Sequence, residues 1–526
     1  MEGDGRVAPP QVNYDNVLPL AIESRSNRRE FLPVNGQSFS NGTGSTICRI
    51  DVNADSMLDA THSYLECVLT NTSGANTFLA PNGFGPSWIQ RLRIESGGVV
   101  LEDINEYSRL YAMLVLNQCP KEYIKNNLAL LGMYQYHGSS RLKASSATNA
   151  GVNVATTGGD NRLIADDSFS NSIPDIDELH YNMSAQGFLK GNTSIAVLTD
   201  GVATQPTTEG LAGVHATNRL ANNGRLKMCI PLVSGFLNMD KYIPLVMMNA
   251  GFTIELTLCD ALRIGVVQTE TAYDENDTAA GNQGAFSETP SWTITGVKYV
   301  AHLIDLDRMF YDRLRMVMES SGGVLQLAGQ SYRHFSGNLP NGETQTTITL
   351  PARVKSVKSI FGTFIPTANS GVYNAYDTSV FNSVGLTSFR FEIGSVRYPQ
   401  TDVSFSATNI LDQSEREAEL DKAFGKIGDY QHQKAYSTKH TLNNSGGRNG
   451  SDMGNQSALS AFFIGYDFEA FQRVALEAGI NTADRSLPIN CILSRAASSV
   501  AARADFFVLV DAIFFINLDG TASVSY

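Results

Sequence analysis

The sequence predicts an all-β protein: two consecutive antiparallel sandwiches, with a few short helices and a long polar insertion. Three observations carry that expectation. Short runs rich in Val, Ile, Phe and Thr recur along the chain, separated by Asn, Gly and Ser clusters. Strand-like runs do not alternate with long helical ones, which argues against a parallel doubly wound sheet. The 526 residues suffice for two to four domains, at roughly 100–200 residues each.

Thr46 to Val52 alternates, with Cys48, Ile50 and Val52 on one face of a strand. Strands are also expected at Tyr64 to Leu69, Trp88 to Ile94, Val297 to Leu303, Gln345 to Leu350, Ser356 to Ile365 and Ser388 to Ile393. Phe506 to Leu518 is apolar enough for a strand buried on both faces. Three helices are marked. Asp103 and Glu106 read as a capping box before Tyr107, Tyr111 and Leu114. Asp307 to Glu319 carries Phe310, Leu314 and Val317 on one stripe and ends at Gly322-Gly323. Ser414 and Glu417 form a second capping box, with Leu420 and Phe424 on one face and Gly425 as the stop.

Composition shifts set the domain plan. Residues 1–30 read as an N-terminal arm and 31–268 as the first sandwich, with a Ser-, Thr-, Asn-, Ala- and Gly-rich insertion at 138–224. A structureless stretch of that length inside a compact domain is rare, so it reads as a functional elaboration. A second polar stretch, 269–291, reads as the linker, and 292–526 as the second sandwich. One local echo, Arg91 to Val99 against Arg313 to Val324, reads as coincidence: a strand entering a turn in the first, a helix end in the second.

Composition excludes several function classes. Charged residues are 17%, below the roughly 25% of average soluble domains. The net charge is −13, and Arg25, Arg28 and Arg29 are the only N-terminal basic cluster. That is too little to coat a nucleic acid, which takes clustered Lys and Arg to displace counterions. Six scattered cysteines without a C-x-x-C pair make no disulfide scaffold; they read as buried thiols of a reducing compartment. The first residues carry no apolar signal-peptide core. The longest apolar run, Phe506 to Leu518, contains Asp511 and Asn517 and is too short to cross a bilayer.

Catalytic signatures are missing. No His is followed by Glu, so no H-E-x-x-H zinc site exists; Gly425-Lys426 lacks the rest of a phosphate loop; there is no G-x-S-x-G elbow. Asp274-Glu275-Asn276-Asp277 starts like a calcium loop but has Ala279 where the turn needs Gly. Asp175, Asp177, Glu178 and His180 form the best ligand-like cluster, and it reads as an acidic turn of the insertion. Met247-Met248 reads as core. No catalytic, cofactor-binding or metal-ligating residue is therefore assigned, and no enzyme activity is expected.

A family resemblance follows from particular segments. Arg91 to Tyr107, Arg-Leu-Arg-Ile-Glu-Ser-Gly-Gly-Val-Val-Leu-Glu-Asp-Ile-Asn-Glu-Tyr, resembles the strand, glycine turn and helix of the first barrel in double jelly-roll major capsid proteins. The closest pattern is that of small eukaryotic DNA viruses such as polinton-like viruses and virophages. Ile230 to Leu245 and Phe252 to Leu258 are similar to the closing strands of that barrel. Ala478 to Thr482 and the apolar C-terminal strand resemble the end of the second. The insertion falls where such proteins carry a tower loop. The resemblance implies two jelly rolls, a homotrimeric pseudo-hexameric capsomer, and an icosahedral shell around DNA. It implies contacts with neighbouring capsomers and with penton and minor capsid proteins, and weak or no nucleic-acid contact. The virion is then the location, after synthesis in the host cytoplasm or nucleus. Two other readings stand beside it: a host-attachment or carbohydrate-binding β-sandwich, and a β-sandwich hydrolase with paired carboxylates.

Overall fold

The computed structural model describes residues 23–41, 45–74, 77–81, 84–120, 123, 197–199, 202–204, 220–221, 223–269, 290–320, 322–370, 378, 381–409, 411–425, 427, 434, 461–471, 477–484 and 487–526. Two sandwiches follow one another, each of eight main antiparallel strands in two sheets. The first uses β1 (Ser24–Phe31), β2 (Ile47–Val52), β3 (Met57–Asn71), β4 (Ile89–Ser96), β5 (Val99–Asn105), β6 (Arg225–Ile230), β7 (Phe252–Leu258) and β8 (Trp292–Leu306). Its sheets run β1-β8-β3-β6 and β2-β7-β4-β5. The second uses β9 (Val324–Leu339), β10 (Gln345–Leu350), β11 (Val357–Pro366), β12 (Leu386–Ile393), β13 (Val396–Ser404), β14 (Phe463–Asp467), β15 (Ile489–Arg495) and β16 (Ala502–Asn517). Its sheets run β9-β16-β11-β14 and β10-β15-β12-β13.

Both halves therefore pair first with eighth, eighth with third and third with sixth in one sheet, and second with seventh, seventh with fourth and fourth with fifth in the other. That double-sheet order is the jelly roll, which shelters strand edges by folding one sheet over another. The internal repeat lies in this order. The equivalent of the β4–β5 hairpin, with its Gly97-Gly98 turn, is the β12–β13 hairpin through Gly394. Arg313 to Val324 is a helix end running into β9, as the sequence suggests.

Alternation places the cores. In β2, Cys48, Ile50 and Val52 are buried and their neighbours exposed; β7 repeats the pattern with Phe252, Ile254, Leu256 and Leu258. The strand expected to be buried on both faces is β16. It is paired with β9 over its full length and with β11 on the other side. Phe506, Val508 and Val510 fill the second core, while Phe507, Phe514 and Ile516 join the first. Met248 is core and Met247 packs against it.

Four expectations are corrected. Residues 24–30 are no free arm: they form β1, registered against β8 from Ser24↔Leu306 onward. The boundary expected at 269–291 is displaced. Trp292–Leu306 pairs with β3 and β1, so it closes the first sandwich. The second sandwich starts at β9, after α2 (Arg308–Ser320). Polar composition by itself does not mark a domain end, and the strand that follows belongs to the first sandwich. Asp103 and Glu106 are no capping box either. Asp103 lies in β5 and pairs with Arg91, and Glu106 is the αL residue before α1 (Tyr107–Gln118), with its side chain turned elsewhere. α3 (Ser414–Phe424) has its expected buried Leu420 and Phe424 and its Gly425 stop, but Gln413 is the N-cap and no side chain caps the helix. The insertion at 138–224 lies largely outside the described residues; within it, 197–199 pairs with 202–204 and 220–221 with 78–79.

Candidate functional site: the junction between the sandwiches

α1 is one of the elements that bring the halves together. Its sequence, Tyr-Ser-Arg-Leu-Tyr-Ala-Met-Leu-Val-Leu-Asn-Gln, is apolar on all sides, as a helix enclosed on all sides requires. Residues 107–117 are all buried. Arg109, only 1% exposed, crosses into the second sandwich. Its Nε donates to Thr363 Oγ1 at 3.1 Å and lies 3.4 Å from Asp505 Oδ2; Nη2 donates to the Phe364 carbonyl at 3.1 Å. The guanidinium stacks over Phe381, 4.8 Å from the ring centre.

Around this arginine the buried charges neutralise one another. Asp505 on β16 also meets His334 Nε2 at 2.9 Å and Arg503 at 2.8 Å. Arg503 continues to Glu106 at 3.0 Å, and Glu106 to Arg263 at 2.8 Å. Burial alone would raise the Glu106 carboxyl, but Arg263 and Arg503 outweigh it and hold the group at about 2. Asp505 is lowered likewise: burial opposes, while His334, Arg109 and Arg503 prevail. Both stay ionised in neutral solution, so the chain of ion pairs from Arg263 to Arg109 is intact there.

A second contact is built on Glu102 of β5. Its carboxylate accepts from Ser234 Oγ, Gly235 N (2.8 Å), Phe236 N (3.3 Å) and Ser331 Oγ of β9. The backbones meet there through glycine. A Cβ on Gly329 would stand 2.5 Å from the Gly235 carbonyl, and one on Gly235 would strike the Gln330 carbonyl. The C-terminus completes the joint: Tyr526 Oη donates to the Leu101 carbonyl, and Asn249 binds the turn before residues 522–525.

Each of these acids is matched by cations or by several donors. Beside the joint lies a cleft of about 960 Å³ between α1, the segment 231–240, β9, β11 and α3. Its lining is mixed and includes Tyr111, Met239, Lys358, Phe361 and Glu469. All six cysteines are free, and burial pushes the Cys48 thiol up to about 12, which leaves it inert. Among the described residues no three His, Cys, Asp or Glu side chains are grouped to hold a metal ion, and no helix is long and apolar enough to cross a membrane.

Asp175, Asp177, Glu178, His180, Asp274, Glu275, Asn276, Asp277 and Lys426 lie outside the described residues. Arg25, Arg28 and Arg29 are exposed on β1, with Arg28 paired to Glu30 at 3.1 Å. The sequence reading missed Glu102, Glu106, Arg109 and Asp505. The usable signal was a charge inside an apolar run: Arg109 within α1, Asp505 beside Phe506-Phe507. Such charges are rarely buried unless paired.

No protein-family model matches this chain, and no curated protein matches it by sequence. Its fold matches solved structures over nearly its whole length. The crystal structure of PBCV-1 VP54 fitted into a cryo-EM reconstruction of the virophage Sputnik aligns with a TM-score of 0.51 at 10% identity, covering 98% of this chain and 99% of the other. A quasi-atomic model of the PBCV-1 virus capsid aligns at 0.49 with the same identity and coverages. The Faustovirus major capsid protein aligns at 0.49 and 10% identity, covering 96% of this chain and 92% of that one. The first of these alignments is a likeness of fold: the double jelly roll is common to both chains.

Proposed function

We propose that this chain is a major capsid protein: a structural, non-enzymatic subunit of the icosahedral shell of a DNA virus, residing in the virion. It associates as a homotrimer whose six sandwiches tile as a pseudo-hexagon, and tiles meet one another and penton and minor capsid proteins. One observation carries the reading. Two complete jelly rolls are locked through a buried, charge-matched junction into a single block, in a fold shared with PBCV-1 VP54 along the whole chain. A shell tile needs such a block, because flexure between its halves would spread its contacts with neighbours. Exposed apolar side chains support further contacts, among them Leu32, Val34, Met309, Met316 and Phe471. The net charge of −13 supports weak contact with nucleic acid at most.

Light scattering of the purified chain is expected to give the mass of three copies, and negative-stain microscopy to display hexagonal tiles or shells. A stable monomer at micromolar concentration would overturn the proposal. Obligate interfaces bury more than roughly 2,000 Å², so the trimer is expected to survive dilution.

A further inference from the structure

We propose that Lys358 and Asp511 become joined by an intramolecular amide bond, formed by the protein itself with Glu469 as the proton carrier. Lys358 lies in β11 at a bulge: Val357 faces Val510 and Ser359 faces Leu509, which leaves Lys358 as the extra residue. Bulges re-aim a side chain, and this one sends an amine into the protein. Lys358 is 4% exposed and Asp511 3%. Nζ lies 3.4 Å from Asp511 Oδ1 on the adjacent strand β16 and 2.9 Å from Glu469 Oε1, just beyond β14. One cation thus faces two carboxylates out of water, where charge is costly.

The two oxygens of Asp511 are held differently. Oδ2 accepts from Ser356 Oγ at 2.7 Å and from the Glu477 backbone N–H at 3.0 Å. Oδ1, the oxygen facing the amine, is buried without a hydrogen-bond partner. That asymmetry fits a condensation. The Lys358 ammonium passes one proton to Asp511 Oδ1 and becomes a neutral amine. Nζ attacks Cγ of the neutral acid, the developing negative charge sits on Oδ2, opposite its two donors, and the nitrogen, now positive, passes its second proton to Glu469. Glu469 delivers its proton to Oδ1, which leaves as water; the third amine proton remains on the amide nitrogen. Lys358 and Glu469 line the cleft between the sandwiches, which gives the water an exit. No oxidant or cofactor is consumed. The product staples β11 to β16 across most of the second half, in the protein of a shell that has to last.

Intact-mass spectrometry of the purified wild-type chain tests this. The expected mass is one water below that of the unlinked chain, and a tryptic digest should contain residues 356–390 joined to 504–526, uncut at Lys358. A folded wild-type chain with no joined peptide, or with the water lost at another site, would overturn the proposal. Glu469→Gln keeps the size of the side chain but cannot carry the proton; it is expected to give the full mass and two separate peptides. A joined peptide in that variant would overturn the role of Glu469.

Discussion

Glu106 makes the fold sensitive to acid. Its carboxyl is held at about 2 against an ordinary value of 4.5. A depressed acid contributes its stability in full above its unfolded value and loses it as pH falls through the folded one. The contribution is on the order of 3 kcal/mol, and it disappears between pH 4.5 and about 2. Glu106→Gln is expected to lower the urea midpoint at pH 7 and to flatten its decline below pH 4.5; an unchanged acid limb would contradict the role given to this carboxylate. Glycine at 235 and 329 is fixed by approach, since a side chain on either meets the opposite backbone. Gly329→Ala is expected to cost about 1–3 kcal/mol, as overpacking does, read as a lower midpoint with an unchanged m-value.

α1 and α2 are both short and carry apolar residues, yet they differ in fate. α1 is enclosed on all sides, whereas α2 buries only Met318 fully and leaves Met309, Met316 and Val317 more than half exposed. An outward apolar face on an otherwise amphipathic helix is spare as far as folding of one chain is concerned. Met316→Glu combined with Val317→Glu is expected to move chain stability by no more than about 0.5 kcal/mol, while lowering the yield of assembled tiles; thermal melting and light scattering read the two effects separately. A parallel also joins α1 and α3. Each follows the fifth strand of its sandwich, and in each the third helical residue is a buried arginine stacked on a phenylalanine: Arg109 on Phe381, Arg416 on Phe462. Both donate to backbone carbonyls of the second sandwich, Phe364 and Phe463.

At the scale of the whole molecule the two sandwiches share part of a hydrophobic core. The first hydrophobic core takes in Phe361, Phe424, Phe463, Phe507 and Phe514 of the second half, so neither half is covered without the other. Calorimetry is expected to give a single transition for both. Arg109→Met removes the cation from a buried pair and is expected to cost about 3–5 kcal/mol, with the two halves then melting apart. Two separate transitions in the wild-type chain would contradict a fused block.

The sequence by itself determined many of the strands, though not Ser24–Phe31, Val99–Asn105 or Val324–Leu339. β2, β10 and β16 were legible because alternation or continuous apolarity is a local property, fixed by the faces a strand presents to water and core. It also determined the class of fold and the helix stops at Gly322 and Gly425, where local backbone geometry is decisive. Tertiary structure alone decided which strands close which sandwich. Trp292–Leu306 reads as the opening of a second domain until its hydrogen bonds to β1 and β3 place it at the end of the first. It decided too that Glu106 would serve an ion-pair network and not a capping box, since Arg263 and Arg503 lie 157 and 397 positions away along the chain. Pairings over such distances are settled by which surfaces the folded sheets bring together, and no local pattern records them.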